Sequence, residues 1–295
     1  MKKPCRSACK PLKIKSKNHM KRILLPALCI ALLTAACARI NPQGPAPESL
    51  QALLEQMEPD TRSNVSDEGH FVWNTWDQVS VLTSAGSFVP FSITSGAGTN
   101  KASFVGNLEE GVELGAVAVY PAGSHSIQGN TLSVNYPSSY TYPADTTDSY
   151  PVMIARLGGG SPVSFIHVGG LMRIRYKNVP VKATHMVITF HKQVVTGDFS
   201  LNLAEDEPTA TMYDGSSQVV INFTSPTEPA NTRHFYLPLP CGDLTDMTLE
   251  FRDASDALIP GTQYESHSVK TVTRKRLLKM PGLVLTVINA GIDNE

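Results

Sequence analysis

From Phe71 onward, apolar and polar residues alternate with a period of two. Val79 and Val81 alternate with Gln78 and Ser80, and Val117 and Val119 with Ala116 and Ala118. Between Leu171 and Lys177 the pattern is sharpest. Met172, Ile174 and Tyr176 fall on one side, and Arg173, Arg175 and Lys177 on the other. Successive strand side chains point to opposite faces, so this pattern predicts a strand with one buried and one wet face, as in antiparallel sheets. Met186, Ile188 and Phe190 repeat the signal, as do Val219, Ile221 and Phe223. Turn-forming pairs separate the runs, among them Gly129-Asn130, Asp214-Gly215 and Pro260-Gly261. Many short strands joined by such turns predict an all-β protein built of sandwiches.

Two segments ahead of residue 70 break this pattern. In residues 48–57, Leu50, Leu53, Leu54 and Met57 recur at helical spacing, with Pro59 just beyond. That spacing predicts a short amphipathic helix. Residues 23–36 are an apolar stretch too short for a membrane-spanning helix, which needs roughly 20 residues. Nine Lys and Arg residues and no Asp or Glu accompany it in residues 1–36, the layout of a secretory signal. It closes on Leu33-Thr34-Ala35-Ala36-Cys37, which reads as a lipobox with Thr34 where Leu is commonest. Lipidation of Cys37 as the first mature residue is therefore expected. A plain secretory signal cut after Ala36 or Ala38 is the alternative. Met20-Lys21-Arg22 would serve as a start in its own right, which leaves Met1 or Met20 open as the first residue.

The expected organisation is a signal peptide over residues 1–36 and a lipid-anchored tether with a short helix over 37–69. An N-terminal β-sandwich over 70–160 and a C-terminal one over 161–295 follow. The junction is placed at the glycine-rich Gly158-Gly159-Gly160-Ser161-Pro162, a hinge-like run after which strand patterning restarts.

Removing the signal changes the charge. Taking its nine bases from the 25 Lys and Arg leaves 16 against 26 Asp and Glu, a net charge of −10. An acidic body repels phosphate backbones, so no nucleic-acid partner is expected. Cys5, Cys9 and Cys29 leave with the signal and Cys37 is acylated. Cys241 is left alone, without a disulfide partner.

Motifs for chemistry are sparse. Ser95-Gly96-Ala97-Gly98-Thr99-Asn100-Lys101 lacks the spacing of a phosphate loop and reads as a strand connection. No Gly-x-Ser-x-Gly elbow occurs. His185 and His191 share a strand face but stand about 20 Å apart along an extended chain, too far to share a metal. The acidic residues Glu205, Asp206, Glu207, Asp243, Asp246, Asp253 and Asp256 lack calcium-loop spacing and read as solvated charge. Arg274-Lys275-Arg276 with Lys279 is the one basic cluster in the acidic body. It reads as a solubilising strand flank or as a patch facing another copy. No catalytic residue, metal or cofactor is expected. Tyr136, Tyr140, Tyr142 and Tyr150 cluster in one stretch and leave an envelope glycan-binding lipoprotein as the alternative function.

Several segments resemble fimbrillin-like proteins. They are Trp76-Asp77-Gln78-Val79-Ser80-Val81, Phe91 to Thr99, Ala102-Ser103-Phe104-Val105-Gly106 and Ala118-Val119-Tyr120-Pro121-Ala122, followed by Val152-Met153-Ile154-Ala155, Phe165 to Ile174 and Lys177-Asn178-Val179-Pro180. They run in family order over residues 71–200. The resemblance implies two transthyretin-like Greek-key β-sandwiches in a lipoprotein of the outer membrane of Gram-negative anaerobes. It also implies a stalk, anchor or tip role in a fimbrium, with other pilin-like subunits, or copies of itself, as partners by strand exchange, and a host or bacterial surface ligand. Stalk members of the family are cut by an Arg-specific protease, which frees a groove for a neighbour's strand. Arg62 is the candidate cut site, and an ordinary loop arginine is the alternative reading. Gly282 to Ile288 is a candidate donor strand.

Overall fold

The computed structural model describes residues 46–56, 71–142, 151–177, 179–224, 232–280 and 283–284. Among them the regular structure is all β. The first strands are β1 (Ala46–Leu54), β2 (Gln78–Thr83), β3 (Phe88–Ser95), β4 (Lys101–Leu108) and β5 (Leu114–Tyr120). Next come β6 (Ser126–Gln128), β7 (Thr131–Tyr136), β8 (Ser139–Tyr142), β9 (Met153–Arg156), β10 (Val163–His167) and β11 (Gly170–Lys177). β12 (His185–Phe190), β13 (Thr196–Asn202), β14 (Thr211–Ser216), β15 (Gln218–Phe223) and β16 (Thr232–Leu239) follow. The last are β17 (Gly242–Leu244), β18 (Met247–Arg252), β19 (Tyr264–Ser266), β20 (Lys270–Val272), β21 (Leu277–Lys279) and β22 (Leu283–Val284).

Seven strands close on themselves in the order β1-β10-β9-β5-β2-β3-β4. Inside this barrel lie Val79, Val81, Phe91, Phe104, Ala118, Tyr120, Met153 and Phe165, around a fully buried Trp73. The Trp73 ring meets Phe104, Tyr120 and Phe165 edge-on, with centroids 4.9, 5.2 and 5.5 Å away. Such geometry sets the positive ring edge against a neighbour's negative face. Val117 and Val119 on β5 and Ile154 on β9 point out of the barrel into a second core, where Leu132, Val134, Phe199 and Leu201 meet them. β2, β5 and β9 are thus buried on both faces, which is why β5 and β9 are almost continuously apolar, while β2 buries Ser80 with its hydroxyl accepting the Gly123 N–H at 3.1 Å. The third core is a true sandwich. Met172 and Ile174 of β11 and Phe235 and Leu237 of β16 face Met186 and Ile188 of β12 and Leu249 and Phe251 of β18.

Two expectations are corrected here. The predicted helix is strand β1, in which Leu50, Ala52 and Leu54 are buried while Ser49 and Gln51 are exposed. Three leucines at helical spacing hid a period of two whose middle inward residue is a small alanine. The predicted junction at 160/161 falls within one sheet, because β9 and β10 pair antiparallel across the glycine run. Gly158 and Gly160 hold φ of 101° and 105°, which a turn demands as readily as a linker does. The sheets also interleave: β7 pairs with β13, and β8 runs parallel to β15. The described residues, all of which fall within 44–295, accordingly form one compact unit.

Candidate functional site

β1 is the first barrel strand in chain order and the one with the longest register. It lies antiparallel to β4 over eight paired positions, from Ala46↔Leu108 to Leu53↔Lys101. On its other side it runs parallel to β10, with Ala52↔Val163, Leu53↔Ser164 and Leu54↔Phe165. Leu50, Ala52 and Leu54 join the barrel core. Ala52 is fully buried with Ala102 opposite, a position that admits only a small side chain.

Just past β1 stands a charged cluster. The Glu55 carboxylate lies 3.0 Å from the Arg274 guanidinium and 3.6 Å from the Lys275 ammonium, and it accepts the main-chain N–H of His167 at 2.9 Å. The Glu55 and Arg274 side chains are each 16% exposed, so water screens them little. Arg274 also reaches Glu207. His167 Nε2 lies 3.0 Å from the Glu55 carbonyl oxygen, a contact that requires Nε2–H to donate. Burial pushes the His167 pKa down to about 4, against the opposing pull of the Glu55 carbonyl. Phe71 covers the ring at 5.1 Å.

One residue further on, Gln56 donates to the Phe71 carbonyl at 3.1 Å and accepts the Phe71 N–H at 2.9 Å. The chain between them leaves and returns at one point. Arg62 belongs to that intervening segment and lies outside the described residues, as does Cys37.

Other singled-out residues find structural partners. Tyr136 packs at 4.6 Å on Phe199 and is 1% exposed, and Tyr140 is 7% exposed in the sandwich core. A sugar-stacking platform therefore loses these two rings to the core, while Tyr150 lies outside the described residues. Burial pushes the Tyr140 hydroxyl pKa upward. Arg274, read as a solubilising flank or a partner-facing patch, is turned inward onto Glu55. Ser95 to Lys101 connects β3 and β4, as its sequence predicts. Asp246 engages Lys192 and His267, and Asp256 engages His185 and Arg252. A polar cleft of about 410 Å³ beside Asp246 and Glu250 is lined by charges already paired with one another. Among the described residues, no three His, Cys, Asp or Glu side chains gather as metal ligands.

Of this cluster, Glu55 escapes sequence reasoning, while His167, one of the histidines scattered singly along the chain, is buried and structural. An acid directly after an apolar run is the available signal, but it falls inside residues 48–57, whose spacing predicts a helix.

No protein-family model matches the chain, and no curated protein matches it. Solved structures that the chain matches include a Bacteroides ovatus protein provisionally assigned to cell adhesion. It is 13% identical at a TM-score of 0.43, over 81% of this chain and 100% of that one. Two proteins with the same provisional assignment come from Bacteroides uniformis and Bacteroides fragilis. The first is 15% identical at a TM-score of 0.39, over 76% of this chain and 98% of that one. The second is 9% identical at a TM-score of 0.37, over 79% of this chain and 91% of that one. At these values, residue roles and function must come from the chain's own chemistry.

Proposed function

We propose that the chain is a non-catalytic, fimbrillin-like surface lipoprotein of the outer membrane that takes part in adhesion or pilus assembly by β-strand addition. One observation carries the reading. β1, the first strand after Cys37 in the chain, sits between β4 and β10 and is joined to the rest of the body through the segment that contains Arg62. A cut at Arg62 severs β1 and the lipid anchor from the body in one step. Departure of β1 leaves eight positions of β4 without a partner, above an apolar floor. An unpaired edge of that length is adhesive to an extended segment from another subunit. The floor alone rewards re-occupation, since burying two leucines contributes about 3–6 kcal/mol. An uncut chain keeps its lipid and its plugged barrel, which suits an anchor. A cut chain suits a stalk.

The test uses the exported chain from residue 38 onward, treated with an Arg-specific protease. The expected product begins at Ser63 and elutes as multimers that dissociate on heating, while Arg62→Ala gives no product that begins at residue 63 and stays monomeric. A chain cut at Arg62 that stays monomeric would rule out assembly by strand addition.

A further inference from the structure

The proposed role requires that β1 can be replaced, and the present inference rests on that reading; it concerns what the vacated slot selects. We propose that Arg274, Lys275 and the main-chain N–H of His167 form a carboxylate receptor at the end of the slot. In this reading the receptor sets the register of the incoming strand, and the strand it fits is residues 288–293 of a second copy.

Alternation alone cannot set register. A slip of one residue turns the wrong face inward, but a slip of two preserves the pattern. Two features of the slot reject the two-residue slip. At the centre, Ala52 is fully buried opposite Ala102, so a large side chain there overpacks the barrel. At the end, the Glu55 carboxylate answers two cations and one N–H. Sliding the strand by two residues moves that carboxylate about 7 Å away. The receptor is also built with some strain. Lys275 holds a left-handed φ of 62°, and its N–H donates to the Gly169 carbonyl at 3.1 Å, which fixes the turn that carries both cations. Glu207, on the far side of Arg274, is a second carboxylate in reach and is 68% exposed.

The slot thus reads large apolar, any residue, alanine, any residue, large apolar, acid. This pattern occurs at two places in the chain. One is Leu50-Gln51-Ala52-Leu53-Leu54-Glu55, already seated, and the other is Ile288-Asn289-Ala290-Gly291-Ile292-Asp293. An amide follows the first apolar residue in both. Residues 285–293 align with 47–55 in this register, directly after β22. Their own placement lies outside the described residues.

The experiment uses the chain from residue 38 with a site-specific protease sequence inserted between residues 57 and 70, cut and separated from its β1 fragment. Fluorescent peptides 46–56 and 285–295 are titrated into it by anisotropy. Both should bind, Asp293→Asn should weaken the second by about tenfold, and Ala290→Leu should abolish it. With Arg274→Gln in the body, the unaltered 285–295 peptide and its Asp293→Asn variant should bind more nearly alike. The peptide arms stand even where that variant of the body does not fold. Failure of 46–56 to rebind overturns the replaceable strand itself. Binding of 46–56 without 285–295 overturns the proposed occupant and leaves the slot intact. Equal binding of the unaltered and Asp293→Asn peptides to the unaltered body overturns the carboxylate receptor.

Discussion

Replacing Leu54 and Leu53 separately by alanine tests the strand assignment of β1, because strand and helix geometry rank the two differently. As part of an amphipathic helix, the pair would share the buried stripe and cost similar amounts. In the strand they point to opposite faces. Leu54 is 4% exposed inside the barrel, and its N–H donates to the Asn100 carbonyl at 2.8 Å. The backbone on both sides of it belongs to paired strands and cannot collapse into a void. Leu54→Ala therefore should cost about 3 kcal/mol, within the usual 2–5 kcal/mol for buried leucines. Leu53 is half-buried on the outer face and should cost about 1 kcal/mol. For a unit of this size the first change lowers Tm by about 6–12 °C and the second by about 2–4 °C. Urea unfolding with an unchanged slope should reproduce the threefold ratio. Equal losses at the two positions would refute the strand register.

Further expectations follow from the same geometry. Gly106→Ala in β4 drives a Cβ into the ring of the fully buried Phe91 and should destabilise the chain by about 1–3 kcal/mol in the same urea assay. His167 is neutral when folded, with its pKa at about 4 against an ordinary 6.5. Its contribution is present above pH 6.5 and is lost as the pH falls from 6.5 towards 4, by about 3 kcal/mol. The wild type should therefore lose about that much more stability between pH 7 and pH 4 than His167→Gln does. For the Glu55–Arg274 pair, a double-mutant cycle with alanine should give a coupling of about 2 kcal/mol, between exposed and fully buried ion pairs; a coupling near zero would mean that water screens it. Trp76 is 88% exposed, and Trp76→Ala should change stability by no more than about 0.5 kcal/mol.

Where burial is one-sided, the strands were readable from sequence. β15 carries clean alternation because Val219 and Ile221 face the sandwich core while their neighbours are more open, whereas β12 also buries Val187 on its other face. β1 was not readable, since its inward face is Leu-x-Ala-x-Leu and the outward Leu53 completes a false helical stripe. The junction was misplaced for a similar reason: a glycine run marks a sharp reversal as readily as a boundary. Even the wet face predicted for β11 is partly covered, with Leu171 packed on Leu277 near Phe71 and Tyr236. The charged site is the extreme case. Glu55 and Arg274 stand 219 positions apart, and no local pattern pairs residues at that range. Two of the clustered tyrosines, Tyr136 and Tyr140, turn into cores, because propensity says where aromatic rings occur, not which way a strand turns them.

Assembly by strand addition stands or falls with β1 giving up its place to a strand from another copy. Native mass spectrometry of the chain cut between residues 57 and 70 weighs this directly. Strand exchange predicts multimers assembled from bodies that have each lost the β1 fragment, with that fragment free in solution. A monomer that retains one β1 fragment per body after the cut would contradict it.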